Sequence, residues 1–151
     1  MTRRIASLAA GTLALALVMP GPVLATKPVT VTFESPWVWG TAEHDHFSGG
    51  TSPICPSGDV FTVAMFAGGP NNPSFQGWWR KEFVCADGGA RFWLQLEGRI
   101  AMGPPMETSF RWVVIDASGY LTGLHGTGTG YAADIDEIGG IDHYVGQMHI
   151  D

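Results

Sequence analysis

The sequence predicts an all-β protein, a closed or nearly closed antiparallel β-barrel of about eight strands with one disulfide. Three observations lead there. Twenty-one glycines and ten prolines argue against a helical bundle, and no window shows sustained apolar spacing at i, i+3, i+4 and i+7. Short runs rich in aromatic and β-branched residues recur between turn-forming clusters. The chain also carries only two cysteines, Cys55 and Cys85.

Residues 1–25 read as a targeting segment. Arg3 and Arg4 give a basic start, and Ile5 to Val18 is an apolar run closed by Pro20, Gly21 and Pro22. Val23-Leu24-Ala25 supplies a small-residue cleavage site. The expectation is Sec-type export with cleavage after Ala25, since the residues that usually surround a twin-arginine pair are absent. The apolar run is too short to favour a retained membrane span. No cysteine lies near the cleavage point to carry a lipid. Residues 26–151 then form one domain, long enough to bury a core without metal. They hold six Lys plus Arg against fourteen Asp plus Glu, a net charge of −8. That balance argues against nucleic acid and anionic membrane as partners, because both reward basic surfaces. Oligomeric state is not legible.

The strands follow in order. Val29, Val31 and Phe33 alternate with Thr30, Thr32 and Glu34, a first strand that Pro36 should interrupt. Trp37 to Phe47 is a second extended stretch. Ser48 to Gly58, with three glycines, two prolines and Cys55, is a loop. Asp59 to Phe66 is a third strand and Trp78 to Cys85 a fourth, with the loop Ala67 to Gly77 between them. Arg91 to Ile100 is a fifth, joined to the fourth by the hairpin turn Asp87-Gly88-Gly89. Ala101 to Thr108 is a proline-containing loop suited to lie over a barrel mouth. The stretch Phe110 to Tyr131 supplies two strands with a turn at Asp116 to Gly119. After the acidic connection Asp134 to Asp142 comes a last strand, His143 to Asp151.

The glycine run after Leu124 fits a barrel-closing β segment better than a phosphate cradle. Gly126-Thr127-Gly128-Thr129-Gly130 lacks the spacing of a dinucleotide fingerprint and the Lys-Ser/Thr ending of a P-loop, and no amphipathic helix follows it. Glycine in a strand instead allows bends and close backbone approach.

Three segments carry a family resemblance: Trp112-Val113-Val114, then Ser118 through Gly130, then His143-Tyr144-Val145-Gly146. Together they resemble the ending of a group of secreted actinobacterial proteins, which are themselves similar to the allene oxide cyclase and dirigent-type β-barrels. The resemblance covers mainly Glu97 to Asp151. Ala117-Ser118 stands where that group carries Gly-Thr. The resemblance implies a barrel and admits a cyclase or isomerase-like activity, but it transfers no catalytic residue.

Cys55 and Cys85, in an exported chain, are expected to form a disulfide that pins the Ser48–Gly58 loop to the end of the fourth strand. In a strand, His44 and His46 share a face, the arrangement by which a barrel offers two imidazoles to one metal. Gly50 occupies the position where a cupin wants a glutamate, and spacing names no third ligand. The expectation is therefore no metal and no cofactor. His143 and His149 share a face but stand roughly 20 Å apart at strand rise. Glu34, Glu97, Asp116, Asp134 and Asp136 are acid–base candidates by residue type alone. The missing G-x-S-x-G elbow excludes an α/β-hydrolase.

Six tryptophans are a heavy aromatic load for a chain of this length. Trp37 and Trp39 share a face, Trp78 and Trp79 point oppositely, and Trp93 sides with Arg91, Gln95 and Glu97. Trp112 goes with Phe110 and Val114. Periodicity identifies these faces without saying which one is the lumen. The candidate ligand-binding side chains are Trp37, Trp39, Trp93, Trp112 and Tyr120. The first functional expectation is a small apolar or aromatic molecule bound in the lumen. The alternatives are a cyclase or isomerase-like barrel enzyme, and a cell-envelope interaction protein without a ligand.

Overall fold

A computed structural model of the chain describes residues 26–38, 45–67, 74–101, 107–136 and 138–151. Eight strands appear in chain order: β1 (Val29–Val38), β2 (Asp45–Phe47), β3 (Gly58–Ala67), β4 (Ser74–Cys85), β5 (Ala90–Ala101), β6 (Glu107–Gly119), β7 (Leu124–Ala133) and β8 (Gly139–Ile150). All pairings are antiparallel, in the order β1-β8-β7-β6-β5-β4-β3-β2. The two ends of this sheet meet at one bridge, where Glu34 and Ser48 exchange both backbone hydrogen bonds at 2.9 Å. The result is a nearly closed barrel. None of the described residues forms a helix long and apolar enough to cross a membrane.

Alternation along each strand decides what lies inside. Val31, Phe33 and Ser35 of β1 are buried while Thr32 and Glu34 are exposed. Phe92, Leu94 and Leu96 of β5 point inward, and Trp93 points outward. The lumen is filled by rings. Phe33 stacks on Tyr144 at 4.4 Å and Phe83 on Phe92 at 4.8 Å. Phe47 meets Phe33 and Phe83 edge to face. Such offset and T-shaped contacts satisfy the ring quadrupoles while burying large areas.

Strand boundaries depart from the sequence expectation in several places; β4, for one, begins at Ser74, inside the expected loop Ala67 to Gly77. Pro36 does not interrupt β1, which runs on through Trp37 and Val38. The N–H groups of Thr32 and Glu34 point away from β8, and Pro36 has the same parity. Its missing N–H therefore costs the β1–β8 ladder nothing. Of the stretch Trp37 to Phe47, Trp37 and Val38 belong to β1 and Asp45–Phe47 forms β2, while residues 39–44 lie outside the described residues. Asp116 to Gly119 is not a turn. It stays in β6, paired with β5 as far as Ala90, because the register shift at Val114/Asp116 absorbs Ile115 as a bulge. The turn falls at Tyr120–Gly123, bracketed by Gly119 (φ 70°) and Gly123 (φ 83°) in the left-handed region. Finally, the glycine strand β7 does not close the barrel. It lies between β6 and β8, and the seam is β1 against β2.

The glycines of β7 have a packing role instead. A Cβ on Gly128, or on Gly146 beside it in β8, would run into the Trp112 indole, and one on Gly130 would strike the Phe110 ring. These small residues make the space in which two of the largest lumen side chains lie.

The barrel has two unlike ends. The turns Ala86–Gly89 and Tyr120–Gly123 and the loop 48–57 close one end, plugged by Ile54, Leu121 and Leu124. The Cys55–Cys85 disulfide is formed there, with a Cα–Cα distance of 5.8 Å. All four remaining connections, after β1, β3, β5 and β7, sit at the other end.

Candidate functional site

Among the described residues, the buried polar side chains are Ser35, Asp45, Lys81 and Asp142. Three of them meet in the half of the lumen nearest the four loops. β4 and β8 are four strands apart in an eight-stranded barrel, so Lys81 and Asp142 approach from opposite walls. Lys81 Nζ donates to Asp142 Oδ2 at 2.8 Å, with both side chains about nine-tenths buried. The Tyr144 hydroxyl donates to the same oxygen at 3.3 Å. Trp37 Nε1 donates to Asp142 Oδ1 at 3.1 Å. Both carboxylate oxygens are thereby engaged, which is what allows a charge to sit in so apolar a lumen.

Strand periodicity explains the assembly. Asp142 and Tyr144 are two apart on β8, and Ser35 and Trp37 are two apart on β1, so each pair shares the inner face. Ser35 is the direct cross-strand partner of Asp142, and Trp37 that of Gly140. A Cβ on Gly140 would come within 2.8 Å of the Trp37 ring, so glycine there seats the indole over the cluster. Trp79 sits two residues above Lys81 on β4 and packs partly buried against the core.

Electrostatics fix the protonation states. Burial alone would pull the Lys81 ammonium down, but the Asp142 charge and the contact with Tyr144 outweigh it and hold the lysine pKa well above its ordinary value. Burial pushes the Tyr144 phenol up. Lys81 opposes that, Asp142 reinforces it, and the net shift is upward. At neutral pH the Lys81 amine and the Tyr144 phenol therefore both keep their protons. Beside it, Ser35 Oγ is fully buried with no hydrogen-bond partner. A native hydroxyl in that position needs an explanation, because leaving it unsatisfied costs about 1–3 kcal/mol.

The side chains singled out from sequence do not gather on one cavity. Trp37 belongs to the cluster. Trp112 lies in the closed core, its Nε1 donating to the Thr129 carbonyl at 3.0 Å. Trp93 is half-buried on the outer wall, where it lines a cleft of about 380 Å³ with Val63, Arg80 and Ile115. Tyr120 is exposed at the closed end, its hydroxyl 3.2 Å from Asp87. Trp39 and His44 lie outside the described residues. His46 is exposed and paired with Asp59 at 2.8 Å. No group of three His, Cys, Asp or Glu side chains among the described residues could hold a metal ion.

The acid–base candidates chosen by residue type, Glu34, Glu97, Asp116, Asp134 and Asp136, are all exposed. The carboxylate of this cluster is Asp142, which lies inside the expected acidic connection Asp134 to Asp142 before the last strand. β8 begins earlier, at Gly139, so Asp142 is a strand residue on the inner face. The signal that would have found it is its even spacing with Tyr144, Gly146 and Met148.

No family model matches this chain. The curated proteins and the solved structures likewise return no match.

Proposed function

We propose that this protein is an exported binding barrel that takes a small, mainly apolar or aromatic molecule at the loop-bearing end of its lumen. The observation that carries this reading is the unpartnered Ser35 hydroxyl beside the Lys81–Asp142–Tyr144 cluster, under the indole of Trp37. A ligand with a flat apolar body and one polar group would lie against Trp37 and Trp79 and bond to Ser35. The aromatic core restricts such a ligand to the loop end, because the middle of the lumen is occupied. Export is supported by the leader-like residues 1–25 and by the disulfide. The likeness to secreted actinobacterial proteins of the allene oxide cyclase and dirigent type agrees with a barrel of this use.

A second reading, a cyclase or isomerase-like enzyme, is favoured by the ionisable groups inside the lumen. With Lys81 and Tyr144 both holding their protons, the cluster offers fixed donors for a developing negative charge rather than a lysine or tyrosinate base. Native mass spectrometry of protein purified from its secretion medium tests both. The binding reading expects an organic adduct that disappears on denaturation and is weakened about tenfold or more by Ser35→Ala and by Trp37→Ala. A bare mass in the wild type, or an adduct held equally by both variants, would overturn it. An adduct that leaves chemically altered would move the assignment to the enzyme.

A further inference from the structure

A second surface of the barrel is built quite differently from the lumen. On the outer wall, two rows of outward side chains run across the strands. Trp78, Glu97, Arg111 and Thr129 are successive cross-strand partners on β4 to β7. Gln76, Arg99, Ser109 and Tyr131 form the parallel row, two residues along each strand. Between the rows lies the register line Gly77, Gly98, Phe110 and Gly130, whose side chains, where present, point inward. Bare backbone is therefore the floor of a trough crossing β4 to β7, a cleft of about 630 Å³. Three strand spacings make it roughly 14 Å long.

The walls of the trough carry aromatic and cationic side chains, with one carboxylate, Glu97, between Trp78 and Arg111. Trp78 is 38% exposed and its β3 neighbour Phe66 59%. At the far end Tyr131, 54% exposed, stacks on His143 at 4.9 Å. Large apolar side chains left in water and aligned along a cleft mark a binding surface more often than chance exposure does. Between these aromatic ends stand Arg99 and Arg111. Arg111 forms no ion pair among the described residues, although Glu97 is its cross-strand neighbour. Residues 26–151 hold only six Lys plus Arg against fourteen acids. Two of those six are placed in one trough, in a chain whose net charge would repel anions in general.

We propose that this trough binds an acidic polysaccharide, a linear glycan bearing uronate carboxylates. Its sugar rings would lie on Trp78 with Phe66 and on Tyr131. Its carboxylates would meet the Arg111 guanidinium fork, which matches carboxylate geometry in two parallel hydrogen bonds. The open, shallow form suits a chain that continues past both ends, and Gln76, Ser109 and Thr129 supply hydroxyl-seeking polar groups along the way. The site lies on the outer wall, so it stands or falls independently of the lumen proposal.

Titration calorimetry with oligomers of galacturonate, alginate and hyaluronate tests it, with cello-oligosaccharide as the neutral control. The expected result is binding to at least one acidic oligomer and about tenfold weaker binding or less to the neutral one. Trp78→Ala and Arg111→Gln should each weaken binding about tenfold, with unchanged thermal melting because both side chains are on the outer surface. Ser35→Ala should leave this affinity unaltered. Failure of all three acidic glycans, equal affinity for the neutral oligomer, or equal affinity for a single-stranded oligonucleotide would each overturn the proposal.

Discussion

Lys81 and Asp142 are the residues on which the interior depends most sharply. A buried ion pair gains little over well-packed hydrocarbon, yet removing one member strands the other in an apolar lumen. Asp142→Ala should therefore destabilise the fold by about 3–5 kcal/mol in urea unfolding. The double variant Lys81→Met/Asp142→Leu should recover most of that loss, and additivity of the two single losses would count against the pairing. The same cluster sets an alkaline limit. Lys81 and Tyr144 both hold their protons more tightly in the folded chain than in the unfolded one. Below about pH 10 both states are protonated and the contribution is complete. As pH rises beyond that, the unfolded chain releases these protons first, so unfolding free energy falls. Stability measured from pH 8 to 11.5 should drop steeply above about pH 10 in the wild type. It should drop less in the Lys81→Met/Asp142→Leu protein, and parallel curves would contradict the assignment. Sequence alone does not single out Lys81, and it marks Asp142 only through its even spacing with Tyr144 and Met148 on β8. A lone lysine in β4 and an aspartate after an acidic run look like solvated charges, and only barrel closure brings opposite walls together.

At the scale of the strand, β7 shows how little side chain a strand needs when its neighbours are large. Gly128 and Gly146 face the Trp112 indole from adjacent strands, and neither has room for a methyl group. Gly128→Ala should cost about 1–3 kcal/mol by overpacking, and combining it with Trp112→Leu should relieve part of that cost. Thermal melting of the two variants decides it. If Gly128→Ala were harmless, both the indole and the Val145 carbonyl would have to lie elsewhere. The strands themselves were largely legible, because period-two alternation separates Phe92, Leu94 and Leu96 from Arg91, Trp93 and Gln95 without any tertiary knowledge. The misreadings have local causes. Pro36 looks like a stop until its nitrogen, which carries no hydrogen, is known to face the seam rather than β8. Asp116 to Gly119 looks like a turn because a bulge at Ile115, set by pairing with β5, leaves no mark in composition. The outer trough is not legible in sequence because its members come from five strands, and sequence order does not show which strands lie side by side.

For the whole molecule, the decisive contact is the seam. The ladders from β3 round to β1 are long and β2–β3 has three residue pairs, whereas among the described residues the two ends of the sheet meet at the Glu34–Ser48 bridge. The adjacent N–H of Thr32 is taken by the Thr51 hydroxyl at 3.1 Å, so the loop 48–57 acts as an extension of the closing strand. That loop holds its shape through the Gly50 N–H to Pro56 carbonyl bond at 3.0 Å, and it is tied to β4 by the Cys55–Cys85 disulfide. An open seam would leave β1 with unpaired donors along a flat edge, the usual route to association. The disulfide thus does two things, restricting the unfolded chain and keeping the closing loop against β1. By the first alone, Cys55→Ala/Cys85→Ala should lower stability by about 3–4 kcal/mol. The second makes a finer prediction for hydrogen exchange of the folded variant. The amides of Thr32 and Glu34 should lose protection well before those of the β4–β5 and β5–β6 ladders, and the variant should associate at concentrations where the wild type does not. A uniform loss of protection across all eight strands would mean that the disulfide acts only through the unfolded state, and that the seam closes without it.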